Sequence, residues 1–453
     1  MTAPGTIDRT TKFTDGPAKL PLGFAPVSSA RTSAVRRPLI GLVFADVIST
    51  TGTEMTAVAL PWFVLVTTGS PARMGVVLAA EFVGLSVLGL VGARIAGAVG
   101  PRRLMLGADL SRALLVGSIP LLAWLGWLSF PLILVIGFLV GGFFPAYQSS
   151  SQIMVASLVD DDELRLTRLG GLLGSVNESA SFIGPALGGV LIAVLGPSPV
   201  LLLDAASYLC AFGLIGLLVR PAGSGPVVAE GGDTSIAAGL RYLWRSPRLR
   251  RLVLGVGVIS LAWAAMVATI PVLALEHGGP AAAGWLLGAY GAGSVVGGLI
   301  SSRAKRAGGN TAVLAVFGLA VAAWALLLPV PVWAWGIAIG GVGVAAGLFY
   351  PRFFSHLTTT TPPALRARVL TSVTIVISAP SPIGFVGAGL FAQQSTVASR
   401  LLVAGAATAA AIIIATGSGL KATEAGMNAS TDTEPDPSVE RPQLATVDDH
   451  ATE

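Results

Sequence analysis

The chain is a series of long apolar, glycine-rich stretches that short polar loops separate from about Leu39 to Leu420. A helix needs about 20 predominantly apolar residues to cross the hydrocarbon core of a bilayer, and most of these stretches reach that length. The mean hydropathy is +0.78 and only 11% of the residues are charged, whereas soluble domains carry about 25% charged residues. These features predict an all-α, polytopic membrane protein.

We place about twelve transmembrane helices along the chain. Their expected ranges are 38–66, 73–98, 103–127, 131–150, 168–195, 199–219, 251–274, 281–303, 311–330, 332–353, 366–393 and 398–418. Outside them lie a tail over 1–37, a central loop over 220–250 and a tail over 419–453. Because the tails are rich in Ser, Thr and Pro and poor in apolar residues, we expect them to be disordered.

Arginine and lysine residues collect on every second loop. They precede the first helix, follow the even-numbered helices up to the tenth and fill the central loop, whereas the intervening loops contain only Arg73 and Arg400. Cytoplasmic loops are the ones enriched in basic residues. We therefore expect a multi-pass protein of the cell membrane with both termini in the cytoplasm. The pI of about 9.7 follows from this topology and does not indicate nucleic-acid binding.

The central loop divides the chain into six-helix halves, 38–219 and 251–418, that resemble each other. The repeated segments are Gly-Phe-Phe-Pro-Ala-Tyr at 142–147 with Leu-Phe-Tyr-Pro-Arg-Phe at 348–353, and Phe-Ile-Gly-Pro-Ala-Leu-Gly-Gly at 182–189 with Pro-Ile-Gly-Phe-Val-Gly-Ala-Gly at 382–389. Parallel repeats of this kind predict two pseudo-symmetric bundles about an axis along the membrane normal. That architecture is typical of rocker-type secondary transporters.

Five segments match the motifs of a known family. They are Thr-Gly-Thr-Glu-Met-Thr-Ala-Val-Ala-Leu-Pro-Trp at 51–62, Leu-Val-Asp-Asp-Asp-Glu-Leu at 158–164, Gly-Pro-Ala-Leu-Gly-Gly at 184–189, Leu-Asp-Ala-Ala-Ser-Tyr at 203–208 and Gly-Leu-Arg-Tyr-Leu-Trp-Arg-Ser-Pro at 239–247. Through them residues 38–418 resemble the major facilitator superfamily, and more narrowly its drug-exporter branch, which includes macrolide and siderophore (enterobactin-type) exporters. The resemblance implies the major facilitator fold and a small-molecule substrate, whose identity the motifs do not specify.

The loop after the second helix departs from the pattern of this family. The resemblance assigns four residues to a gating loop: Gly92, Gly100, Arg102 and Arg103. Family members carry an acidic residue in this loop that bonds to a neighbouring helix end, but Gly97 occupies its position here. The matching segment of the second half, 297–303, also lacks an acid. We therefore expect an inner gate that is weaker or supported in another way.

Ionisable residues within the apolar spans are the best candidates for transport chemistry, because charge at bilayer depth is costly. Asp46, Thr50 and Glu54 share one face of the first helix through their i, i+4, i+8 spacing. We take four acids as candidates for proton coupling or substrate binding: Glu54, Glu81, Asp46 and Glu178. Since these acids lie in the first half, we expect proton handling there and mainly apolar substrate contacts in the second.

Other residues within the spans are expected to be structural. Asp109 and Arg112, at i, i+3 spacing, predict an internal ion pair, and Asp204 is expected to be a structural acid near a helix end. Four residues predict close helix packing with a bend: Gly184, Pro185, Gly188 and Gly189. The resemblance adds that this packing seals the protein against proton leakage.

The sequence supports no enzymatic chemistry. It contains no Gly-x-x-x-x-Gly-Lys-Ser/Thr phosphate loop, its three histidines are scattered and Cys210 is its only cysteine, so we expect no metal and no cofactor. We predict a monomeric secondary transporter that exports small amphipathic compounds in exchange for protons. A uniporter or importer of a small, even cationic, solute stays open as an alternative, as does a non-transporting membrane sensor or scaffold on the same fold.

Overall fold

The computed structural model describes residues 29–158, 163–219, 236–303, 310–362 and 365–431. Within these ranges the chain forms fourteen α-helices and no strand. They are α1 (Ser29–Thr68), α2 (Pro71–Val99), α3 (Pro101–Trp124), α4 (Phe130–Leu158), α5 (Glu163–Leu195), α6 (Pro197–Leu218), α7 (Ile236–Arg245), α8 (Pro247–Glu276), α9 (Gly279–Arg303), α10 (Asn310–Ala325), α11 (Val332–Thr360), α12 (Arg366–Ser378), α13 (Ser381–Gln394) and α14 (Thr396–Thr431).

The expected membrane spans coincide with these helices. Ten spans are long and apolar enough to cross a membrane. Helix α1 falls short of that measure because polar residues dilute its apolar sequence. Helix α10 falls short because it has only 16 residues. The expected eleventh span forms two helices, α12 and α13, because Pro380 and Pro382 lack the N–H groups that would continue one helix. The all-α membrane fold is confirmed.

The helix bounds differ from the expected bounds of the tails and the central loop. Helix α1 already begins at Ser29, inside the segment expected to be disordered, and α14 continues to Thr431. The central loop contains the short helix α7, whose exposed Arg241 and Trp244 alternate with the buried Gly239 and Leu243. The segments 1–28, 220–235 and 432–453 lie outside the described residues.

The helix contacts repeat between the two halves. In the first half α1 packs on α5 and α6, α2 packs on α4, and α3 packs on α4 and α6. The second half has the same pattern: α8 packs on α13 and α14, α9 packs on α11, and α10 packs on α11 and α14. The two halves meet through α5 with α9 and through α13 with α2, which are again equivalent pairs. The pseudo-symmetry expected from the sequence repeats is therefore present in the packing.

Glycines allow the two halves to touch near the ends of the helices that we predict to be extracellular. A side chain at Gly284 of α9 would lie 2.7 Å from the Cα atom of Gly189 on α5. A side chain at Gly389 of α13 would lie 3.2 Å from the Cα atom of Gly75 on α2. Such backbone approach is possible only for residues without a side chain. Both contacts between the halves thus close the same end of the bundle.

Candidate functional site

Acidic side chains from several helices form an electrostatic group inside the first half. Glu81 of α2 interacts with the charges of Glu54 on α1, Asp204 on α6 and Arg112 on α3. Glu54 interacts in turn with Glu178 of α5. We call these five residues the acid group. Its four acids are matched by one arginine, so the group carries excess negative charge whenever two or more of the acids are ionised.

The acids differ in their access to solvent. Glu54 and Glu81 are half-buried, and both lie deep within the bundle. Glu178 is exposed, whereas Asp204 is fully buried. A carboxyl group that is deep in the protein but still accessible can exchange a proton, whereas a fully enclosed one cannot do so without movement. Glu54 and Glu81 therefore combine depth and access, and Asp204 does not.

A hydrogen-bond network fixes the arginine of the acid group. Arg112 Nη2 donates to Thr53 Oγ1 at 2.8 Å, and the Thr53 hydroxyl donates to the carbonyl of Ser49 at 2.8 Å. The Thr53 and Tyr208 hydroxyls lie 2.9 Å apart. Because the proton of Thr53 is already used, Tyr208 is the donor in this last bond. The Arg112 guanidinium also lies over the Tyr208 ring, with 4.2 Å between Cζ and the ring centroid.

The expected ion pair between Asp109 and Arg112 is not formed. Both carboxylate oxygens of Asp109 are buried and have no hydrogen-bond partner in the described part of the chain. The reason is that the guanidinium of Arg112 extends across the helix interface to Thr53 and Tyr208. Asp109 still lies close enough to Arg112 to interact with its charge.

Asp204 differs from the helix-end acid expected from the sequence. It accepts hydrogen bonds from Thr56 at 2.6 Å and from Ser207 at 3.1 Å. The bond from Thr56 joins α6 to α1, and Asp204 does not cap a helix. The sequence could not predict the bond between Asp204 and Thr56, because the two residues lie far apart along the chain. Its only signal at Asp204 was an acid within an apolar stretch.

Asp46 belongs to a second polar cluster at the predicted cytoplasmic end of the first half. Asp46 and Asp109 are buried and interact with each other's charge and with Tyr147 of α4. One oxygen of Asp46 and the Ser150 hydroxyl lack hydrogen-bond partners among the described residues. Apolar side chains that include Leu42, Met105 and Met154 surround this cluster. Although Asp46 shares a helix face with Glu54, it therefore belongs to a different cluster of polar side chains.

A cavity of about 250 Å³ lies at the centre of the bundle, mainly in the second half. Its lining consists of Phe82, Ser260, Trp263, Tyr290, Tyr350, Ile377, Ser378 and Ser381. We call it the aromatic cavity. The Tyr290 hydroxyl interacts with Trp263 and the Tyr350 hydroxyl with Ser260. The described lining thus offers ring faces and hydroxyl groups and no charged side chain.

The aromatic cavity and the acid group are neighbours at Glu81 and Glu178. Phe82 follows Glu81 on α2, and its ring lies 5.8 Å from that of Phe385. Glu178 interacts with Tyr290 of the cavity, and the Ser294 hydroxyl lies 3.5 Å from its Oε2 atom. The Glu178 carboxylate of the first half therefore borders the Tyr290 ring of the second. Sequence analysis missed these aromatic residues, although Tyr350 lies within the repeated segment 348–353.

The four packing residues of α5 lie at helix interfaces. Gly184 packs against Glu54 and the Thr51 carbonyl of α1, and Gly188 packs against Met55. Gly189 and the Pro185 carbonyl both contact Gly284 of α9. Glycines on this one helix therefore serve both the packing within the first half and the contact between the halves.

The described residues of the predicted gating loop have structural contacts. Arg102 donates to the carbonyls of Val219 and Gly216 at the end of α6, at 2.5 and 2.8 Å. Gly100 has φ 89° and precedes Pro101 at the start of α3, a conformation that favours glycine. Arg103 is exposed. The side-chain surroundings of Gly92 and Gly97 lie outside the described residues. Arg102 thus stabilises a helix end, as basic residues do at C-termini.

Comparisons with known proteins agree with this architecture. Residues 31–446 match the family described as transmembrane secretion effector, MFS_3. The chain is 29% identical to the multidrug efflux pump Tap of Mycolicibacterium fortuitum over 376 residues, which cover 80% of this chain and 91% of that protein. It is also 29% identical to the multidrug efflux pump Tap of Mycobacterium tuberculosis over 371 residues, which cover 78% of this chain and 87% of that protein.

Solved structures resemble the fold at low sequence identity. A mutant of the nucleoside transporter NupG superimposes with a TM-score of 0.70 at 10% identity, over 84% of this chain and 99% of that one. A bacterial homolog of the human lysosomal transporter Spinster, in an inward-facing and occupied conformation, gives a TM-score of 0.63 at 14% identity, over 86% of this chain and 96% of that one. These similarities concern the fold alone.

Proposed function

We propose that this chain, which belongs to the transmembrane secretion effector family of major facilitator transporters, exports small amphipathic compounds in exchange for protons by alternating access. Its similarity to two multidrug efflux pumps along most of their length supports outward transport of varied compounds. We further propose that it works as a monomer in the cell membrane, with both termini in the cytoplasm. The distribution of basic residues supports that orientation.

The observation that carries the proposal is the contact between the acid group and the aromatic cavity. Glu54 and Glu81 combine depth with access, so each can bind a proton without leaving its place in the bundle. Arg112 is already engaged by Thr53 and Tyr208 and makes no direct ion pair with these acids in the described part of the chain. The aromatic cavity, which Glu178 borders, offers rings and hydroxyl groups that bind amphipathic compounds without strict shape requirements.

The packing suggests how proton binding is coupled to movement. Glu54 packs beneath Gly184 on α5, and α5 contacts the other half through Gly189 and Gly284. Glu81 lies on α2, which contacts the other half through α13. Rocking of one half against the other therefore shifts both helices that cover these acids, and their access changes from one side of the membrane to the other.

The test is transport into liposomes that contain the purified protein. Compounds are first chosen by a toxicity screen in a pump-deficient host, and accumulation is then driven by an imposed pH gradient. Glu54→Gln or Glu81→Gln keeps the side-chain shape but removes the titrating group, so gradient-driven accumulation should be lost. Glu276→Gln is the matched control, because this exposed acid lies at the end of α8 outside the acid group.

Two results would decide against the proposal. If both glutamine variants accumulate compound like the parent, neither acid couples transport to protons, and Glu178 and Asp46 become the next candidates. If the parent exchanges a cationic compound at equal rates with and without the gradient, the protein is a uniporter. The position of carboxylates beside aromatic rings also suits a cationic solute, so this second result is the alternative to test.

A further inference from the structure

A second cavity of about 500 Å³ lies between the ends of α9 and α11 that we predict to be cytoplasmic. Six polar side chains line it: Ser301, Ser302, Arg352, Ser355, His356 and Thr359. We call it the basic pocket. It is distinct from the aromatic cavity, with which it shares no lining residue. It lies beside the segment 297–303, where the sequence lacks the acid of the family pattern.

The pocket forms where close packing of the two helices ends. Farther from the cytoplasmic end, glycines bring the backbones together: a side chain at Gly347 would lie 2.8 Å from the Gly298 nitrogen, and one at Gly297 would lie 3.0 Å from the Leu348 nitrogen. Beyond this point α11 contains Pro351, which lacks the N–H that would bond to Gly347. The larger side chains that follow hold the helices apart.

The charge of the pocket has no internal counterpart. Arg352 Nη1 is buried and has no hydrogen-bond partner in the part of the chain that the structure describes. Among the residues that the structure describes, no acidic side chain lines the pocket. Between residues 236 and 416 the sequence contains one acid, Glu276, which lies at the opposite end of the bundle. The Arg352 side chain is half-buried, and an anion is the partner that its unsatisfied Nη1 group would bind.

The hydroxyl groups provide donors on both sides of the arginine. Ser302 donates to the Leu299 carbonyl, and Thr359 donates to the carbonyls of Ser355 and His356. The hydroxyls of Ser301 on α9 and Ser355 on α11 make no hydrogen bond within the described ranges and are free to donate. His356 adds a ring N–H from the helical turn after Arg352. Arginine with several neutral donors is the combination that binds phosphate.

We propose that the basic pocket binds a phosphate-type oxyanion, either the headgroup of an anionic phospholipid of the inner leaflet or a soluble phosphate. Arg352 provides the charge, Ser301 and Ser355 donate hydrogen bonds from opposite helices, and the bound anion joins α9 to α11. Basic pockets between helices on the cytoplasmic side are suited to such headgroups. The anion replaces the acidic side chain that the segment 297–303 lacks.

The test measures binding to the purified full-length protein in detergent and does not depend on transport. The probes are inorganic phosphate against chloride at equal ionic strength, and micelles with phosphatidylglycerol against micelles with phosphatidylcholine. Thermal unfolding and native mass spectrometry report binding. Arg352→Gln should weaken binding of the anionic probe about tenfold, because it removes one charge-assisted contact. Arg241→Gln, which removes an exposed arginine of α7, should bind like the parent.

The outcomes separate the two sources of the anion. Binding of phosphate and of phosphatidylglycerol, both lost in Arg352→Gln, indicates a site open to soluble anions, whereas binding of phosphatidylglycerol alone indicates a headgroup site. If Arg352→Gln does not fold, the double variant Ser301→Ala with Ser355→Ala takes its place and should also weaken binding. Equal binding by parent and pocket variants, or no preference over chloride and phosphatidylcholine, would overturn the proposal.

Discussion

The Thr56 hydroxyl of α1 donates a 2.6 Å hydrogen bond to Asp204 Oδ2 of α6. Ser207 donates to the other carboxylate oxygen, so both oxygens of this fully buried acid have partners. A side chain at Gly52, one turn before Thr56, would collide with Asp204 and Ser207, which shows how closely the two helices approach. The bond thus fixes α1 against α6 beside Glu54, the acid proposed to carry a proton.

Thr56→Val should destabilise the protein, because it leaves one oxygen of a buried acid without a donor. We expect a loss of about 1–3 kcal/mol, seen as a lower thermal unfolding midpoint in detergent. Thr416→Val is the control, since its hydroxyl bonds to carbonyls of its own helix at an exposed position. A Thr56→Val variant as stable as the parent would show that this bond does not hold α1 to α6.

Arg112→Lys should impair the acid group although the charge is kept. Lysine cannot reproduce the planar contact with the Tyr208 ring together with the bond to Thr53. We expect roughly a tenfold slower transport rate, equivalent to one lost charge-assisted bond. The control is Arg250→Lys, which alters a cation lying 5.7 Å from the Trp244 ring near the cytoplasmic end. Parental transport by Arg112→Lys would show that charge alone suffices at this position.

Gly284→Ala should keep the two halves apart at their predicted extracellular ends. The added methyl group would lie 2.6 Å from the Pro185 carbonyl oxygen and 2.7 Å from the Gly189 Cα atom, and backbone cannot move aside as a flexible side chain can. In a Cys210→Ser background, spin labels at Ser198 and Ala281 should show a longer distance, and transport should fall.

The control for Gly284→Ala is Gly341→Ala, because a side chain at Gly341 would meet no atom within 4 Å. It should leave both the label distance and the transport rate at parental values. An unchanged distance in Gly284→Ala would contradict the view that α5 and α9 close this end by glycine contact.

The orientation predicted from the loop charges can be tested by labelling. In the same background, cysteines at Ser198 and Ser395 should react with an impermeant maleimide in intact cells, because both residues lie at helix junctions predicted to be extracellular. A cysteine at Arg245, at the end of α7, should react only after permeabilisation. The reverse pattern would invert the topology and would place the basic pocket outside the cell.

Much of the fold follows from local properties of the sequence. In a bilayer each span must satisfy its own backbone hydrogen bonds, so an apolar stretch of sufficient length predicts a helix whatever it packs against. The repeated segments at 142–147 and 348–353 likewise predict equivalent packing, and α2 with α4 and α9 with α11 form matching pairs. The sequence did not predict the break before α13, because a proline within an apolar stretch can either bend a helix or end it.

The site depended on tertiary structure, because the partner of a polar side chain is set by which helix faces meet. The spacing predicted that Arg112 pairs with Asp109, its neighbour along α3. The fold instead brings Arg112 to Thr53 and Tyr208, and among the described residues Asp109 has no hydrogen-bond partner. The spacing of Asp46 and Glu54 on one helix likewise could not reveal that they lie in different clusters. The sequence by itself determined the membrane helices, their repeat and the acids within them. The tertiary structure decided which of those acids lie beside the aromatic cavity, since that depends on contacts between residues far apart in the chain.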